Sequence, residues 1–177
     1  MNVEKMRNMD SMFRDCTELE TLHISSWNTN SVRFLNNMFT GCSKLTKIDV
    51  SNFNTSQVTD MGNMFANCTS LTSLDISNFD ANSITNMFNM FYGCTKLTSL
   101  DLSNFDTSKV TNMNNMFTAC NSLQELHIES WSLNNITQAA VTSLPVGDDA
   151  KNILYSTVYF TVPSGWTLIN LLEIASY

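Results

Sequence analysis

The chain has 177 residues, 43% apolar and 14% charged, a balance that argues for a packed fold and against disorder. Asn, Ser and Thr together supply 64 residues, whereas Gly is 5 and Pro is 2, which excludes collagen-like, linker-rich and low-complexity chains. A formal charge of −7 and a pI near 4.6 leave too little positive charge for phosphate-driven nucleic-acid binding.

From the N-terminus, Met1-Asn2-Val3-Glu4-Lys5 has no apolar core of a signal peptide. No stretch anywhere reaches the roughly 18–20 apolar residues that a bilayer span needs, so no membrane insertion is expected of this segment. From Met6 onward the chain repeats. Its five cysteines, Cys16, Cys42, Cys68, Cys94 and Cys120, stand at a constant step of 26 residues, where a secreted disulfide framework has an even number at uneven spacings. A fixed step in the range of roughly 20–50 residues means a repeat architecture.

The other columns keep the same step. Met12-Phe13 recurs at Met38-Phe39, Met64-Phe65, Met90-Phe91 and Met116-Phe117, and an aromatic closes each unit at Trp27, Phe53, Phe79, Phe105 and Trp131. Within a unit, Val58, Met61, Met64 and Cys68 are spaced three to four apart, which predicts a helix. Leu74 and Ile76 then alternate with Ser73, Asp75 and Ser77, which predicts a short half-buried strand. Neither element buries its apolar face alone, so the coils must stack. Strands about 4.8 Å apart and helices about 8–10 Å apart would bend the stack, with the strands inside. The expected fold class is therefore α/β, a right-handed leucine-rich-repeat solenoid (horseshoe) of five 26-residue coils, each a short parallel strand plus a helix.

The C-terminal segment reads as a cap. Residues 1–133 form the five-coil solenoid, and residues 134–177 pack on the last coil within the same domain. Asn134 to Leu144 predicts a sixth helix ended by Pro145, and Ile153 to Val162 a strand. No capping segment precedes Met6. Three expectations stand for that open edge: an upstream domain, Met1 to Met9 folded back as a thin lid, or self-association through the uncapped coil.

The unit M-x-x-M-F-x-x-C-x-x-L-x-x-L-D-L-S-x-F-D-T-S-x-V-T resembles the BspA-like leucine-rich repeats of bacterial surface proteins, also described as Mycoplasma-lipoprotein-type repeats. The best copy runs from Met90 to Thr111, and the resemblance covers Met6 to Leu133. It implies an extracellular or cell-surface location and an adhesin-like role.

Chemistry is sparse. No phosphate loop, G-x-G-x-x-G, H-E-x-x-H, G-x-S-x-G or C-x-x-C is present, so no enzyme activity, cofactor or metal is expected. The cysteines are displaced coil by coil and cannot converge on one ion, so they read as a buried, reduced column. One surface column invites a functional reading. The outward strand residues are His23, Asp49, Asp75, Asp101 and His127, flanked by Lys47, Glu125 and Glu129 among serines and threonines. Three readings stand side by side: a scaffold ladder with Asp bonded to neighbouring Ser or Thr, a partner-binding face, and a His–Asp or calcium site. L-D-L-S belongs to the repeat pattern itself, which favours the scaffold. The functional expectation is non-enzymatic adhesion, the concave acidic face meeting a protein or glycan; the alternative is a structural spacer or stalk in a larger surface or phage-related assembly.

Overall fold

The computed structural model describes residues 3–128, Trp131 and residues 159–161. Glu129 and the expected cap over 134–177, apart from 159–161, lie outside the described residues.

The columns that repeat every 26 residues line one core. Met38, Met64 and Met90 are buried, as are Leu45, Leu71 and Leu97, and Val50, Ile76 and Leu102. Through their middle runs a ladder of rings. Phe13, Phe39, Phe65, Phe91 and Phe117 stack on one another at centroid spacings of 5.6, 5.5, 6.0 and 5.7 Å. Trp27 packs against Phe13 at 6.0 Å and Trp131 against Phe117 at 6.3 Å. These spacings suit offset aromatic pairs, so one ring per unit holds the units in register.

The strand half of each unit exposes and buries residues alternately, as at Lys47–Val50. Among the described residues, a hydrogen-bonded sheet forms only towards the later units. There β1 (Ser99–Asp101) pairs parallel with β2 (Glu125–His127), and β2 with β3 (Tyr159–Thr161). Asp101 faces His127 in that register. At the other side of each unit, single parallel bridges link Asn8 to Phe34, Phe34 to Asp60, Asp60 to Asn86 and Asn86 to Asn112.

The expected helices are absent among the described residues, and turns stand in their place. The reason lies in the backbone angles. Ser11, Asn37, Asn63, Asn89 and Asn115 have φ of 55–58°, and four residues on so do Asp15, Gly41, Asn67, Gly93 and Ala119, with φ of 57–75°. A left-handed residue at every fourth position breaks the i→i−4 ladder of a helix. Short bonds three residues long remain, such as Met64 N–H to the Met61 carbonyl at 3.1 Å. Alternate N–H groups turn outward to the following unit: Met61, Asn63, Phe65 and Asn67 donate to the carbonyls of Asn86, Phe88, Met90 and Tyr92 at 2.6–3.0 Å. Side-chain spacing of three to four survives because turns, like helices, bring i and i+3 to one side.

Buried hydroxyls join the units as well. Thr55, 1% exposed, donates to the Asp80 carbonyl at 3.0 Å and accepts the Asp80 N–H at 2.7 Å. Thr29 makes the same pair of bonds to Asn54. The first unit differs from the rest: Met12, Phe13, Leu19, Leu22 and Trp27 are only partly buried, and Cys16 is exposed.

Candidate functional site

The strand face carries the residues singled out by pattern. His23, Lys47, Asp49, Asp75, Asp101 and Glu125 are exposed, and His127 is half-buried. Glu129 lies outside the described residues.

Each aspartate is engaged by the serine two residues on. Asp49 Oδ1 accepts the Ser51 N–H at 3.0 Å and its hydroxyl at 2.6 Å; Asp75 Oδ1 accepts the same two groups of Ser77 at 3.0 and 2.7 Å. Asp101 Oδ1 accepts the Ser103 N–H at 2.9 Å. These are Asx turns that lead the chain out of the strand. They also hold the carboxyls below their ordinary range. The Ser77 hydroxyl, then its N–H, lowers Asp75 and outweighs the opposing repulsion from Asp49 and Asp101. Asp101 is lowered by Ser103 first, with His127 adding a smaller pull in the same direction. The ladder therefore stays anionic despite its close spacing.

At the first two units a shallow cavity of about 290 Å³ opens on this face, lined by Thr21, Leu22, His23, Lys47, Ile48 and Asp49. It brings His23 and Lys47 beside Asp49. It leaves Asp75, Asp101, Glu125 and His127 outside, spread along the stack. Among the described residues no three His, Cys, Asp or Glu side chains gather to hold a metal.

Cys42, Cys68, Cys94 and Cys120 are buried, and each thiol donates to a phenylalanine carbonyl of the preceding unit: Phe13, Phe39, Phe65 and Phe91, at 3.1, 3.2, 3.1 and 3.0 Å. Burial pushes Cys42 up to about 11 and Cys120 to about 12, and it raises Cys68 and Cys94 as well. A thiolate is the nucleophile, so these four are chemically quiet donors. Cys16, in the same column by spacing, departs from it in being exposed.

Two surface features escaped the pattern reading. Phe34 is 40% exposed, where Asn8, Asp60, Asn86 and Asn112 occupy the equivalent place, so a single apolar interruption of a polar column was its signal. The cavity itself had none, because residues of two different units line it and no single unit shows it.

Comparison with known families gives a match. The model of a family described as Mycoplasma protein of unknown function, DUF285, matches residues 1–74 and again residues 70–142. No curated protein matches.

Proposed function

The chain belongs to the family of Mycoplasma proteins of unknown function, DUF285, and from that footing we propose that it is a non-enzymatic binding module with BspA-like leucine-rich repeats. In this reading the units form a curved solenoid at a cell surface or outside the cell, and the strand face is its concave side. That face meets a protein or glycan partner. One observation carries the reading: Asp49, Asp75 and Asp101 stand exposed in three successive units, each held by the serine two residues on through a bond from its N–H to Oδ1. A row of hard acceptors at strand spacing suits cationic or hydroxyl-rich ligands more than an enclosed reaction does.

The same turns favour a second reading. Because Asp and Ser shape the exit from the strand segment in the three middle units, they serve a spacer or stalk equally well. Charge removal separates the two. Asp75→Asn/Asp101→Asn keeps an Oδ1 acceptor for the serine N–H while deleting two charges. Wild type and variant would be passed over immobilised matrix proteins and mucins after circular dichroism shows both folded. Binding by wild type that drops by roughly tenfold in the variant supports a recognition face. Equal binding, or none by either protein, discards the face in favour of the spacer.

A further inference from the structure

One column on the bridged side of the units performs the same local task four times and abandons it once. Asn8, Asp60, Asn86 and Asn112 each accept, through Oδ1, the N–H two residues on, from Asp10, Gly62, Phe88 and Asn114, at 2.7–3.1 Å. These are Asx turns that lead into the turn ribbon. Phe34 stands in the same column, bridged to Asn8 on one side and to Asp60 on the other, and its ring can accept no such bond from Asn36. No packing replaces the lost bond. The stacked ring pairs do not include Phe34, and among the described residues it is the one large apolar side chain left exposed. A neighbouring unit already flanks it on each side, so its exposure is a property of the face and not of an end of the stack.

The residue before it departs from a second column. At that place Thr59, Thr85 and Thr111 follow one another, each N–H donating to the carbonyl of the unit before at 2.9 Å, and Arg7 and Arg33 head the same row. Arg33 N–H donates to the Arg7 carbonyl at 2.8 Å, so the two arginines stand one unit apart, and both are exposed. The chain has only three arginines, and the third, Arg14, lies 3.4 Å from Asp15. Arg7 and Arg33 make no ion pair among the described residues. The one carboxylate in the Phe34 column, Asp60, is engaged by the Gly62 N–H at 2.8 Å and by the Asn86 side-chain amide at 2.9 Å.

Two neighbouring positions thus give up the residues that serve the fold and present an aromatic ring and guanidinium groups instead. Aromatic side chains and arginine are the residues enriched at the cores of protein interfaces. A guanidinium fork pairs with a carboxylate through two parallel bonds. Because the chain carries −7 overall, an acidic partner is repelled by most of its surface and drawn to this spot, which fixes where it docks. A long polyanion takes its affinity from many cations, and two arginines do not supply that. We propose that Phe34, Arg33 and Arg7 form a docking surface for an acidic peptide segment of a partner protein. An apolar side chain of the segment packs on the ring, and its carboxylates pair with the guanidinium groups. This surface is separate from the aspartate row and stands whether or not that row binds anything.

The test uses the full chain and short labelled peptides in which Leu or Trp is flanked by Glu, read by fluorescence anisotropy. Phe34→Asn and Arg33→Thr install the residues of the neighbouring units, so both variants are expected to fold, and Phe34→Asn to melt no lower than the parent. The expected result is saturable binding by the parent that weakens with added salt and drops by roughly tenfold in each variant. Asp75→Asn/Asp101→Asn should bind the peptides at least as well as the parent. The proposal falls if no acidic peptide binds the parent, if peptides with Gln in place of Glu bind equally, or if Phe34→Asn binds undiminished. A Phe34→Asn chain that melts well below the parent assigns the ring to the fold and overturns it as well. So does binding of heparin but not of the peptides, which makes a polyanionic glycan the occupant. Self-association of the parent that Phe34→Asn abolishes makes a second copy the occupant, and overturns it too.

Discussion

At Asn63 the backbone has a φ of 58°, and Asn37, Asn89 and Asn115 repeat that angle one unit apart. Asparagine tolerates the left-handed region better than other side chains, which is why it fills this column. Four residues further on, Gly41 and Gly93 fill the matching column, but Ala119 stands there with φ 62°. Ala119→Gly is therefore expected to stabilise the fold by about 0.5–1 kcal/mol, the left-handed strain removed exceeding the added chain entropy. Gly93→Ala is expected to cost about 1–2 kcal/mol, since the new Cβ would sit 2.4 Å from Asn67 Oδ1 at a φ of +72°. Urea unfolding of the three chains checks both signs. The buried threonines give a second site-specific expectation. Ala81 occupies the column of Thr29, Thr55 and Thr107 without their hydroxyl. Ala81→Thr would supply the two bonds that Thr55 makes to Asp80, now directed to Asp106, and should add about 0.5–1.5 kcal/mol in the same assay.

Within each unit the ribbon of turns and the short strand stabilise different things. The ribbon sets register through its outward N–H row and the ring it carries. Phe65 is fully buried between Phe39 and Phe91, so Phe65→Ala should lose about 3–5 kcal/mol. Phe13→Ala should lose less, because its ring is already partly exposed; paired denaturation curves would show the difference. The strand exit depends on Asp–Ser turns, and these link stability to acid. Asp49, Asp75, Asp101 and Asp106 all titrate below the ordinary value of 3.8 in the folded chain, the first three through the serine hydroxyl above all and Asp106 through the Ser108 N–H. The unfolded chain thus binds these protons more readily. The contribution is complete above the unfolded value and is lost as pH falls through the lowered folded values. Melting temperature should hold from about pH 7 to 5 and then fall below about pH 4. Ser51→Ala/Ser77→Ala/Ser103→Ala should flatten that acid step, and an unchanged step would contradict the assigned cause.

Among the described residues, each unit bonds only to its neighbours in sequence, so stability is close to a sum of units and interfaces. The two ends then decide different properties. At the later units a parallel sheet runs through β1, β2 and β3, whereas at the first unit Cys16 is exposed and Phe13 and Trp27 are only partly buried. The thiols report this gradient. Cys42, Cys68, Cys94 and Cys120 are expected to resist alkylation until the chain unfolds, while Cys16 reacts in the folded state.

The residues alone determined the period, the identity of the core columns and the side on which Asp49, Asp75 and Asp101 stand. A 26-residue recurrence of Met, Phe, Cys and Leu is a pattern of burial, and burial is legible in side-chain type. The spacing of Val58, Met61, Met64 and Cys68 did not reveal the turn ribbon, because three-to-four spacing is common to helices and to chains of turns. Its signal was present in the Asn37, Asn63, Asn89 and Asn115 column, which makes sense only once the backbone angle is known. The cavity beside His23 and Lys47 and the exposure of Cys16 have no counterpart in any single unit. They follow from which neighbour each unit meets, and only the tertiary structure decides that.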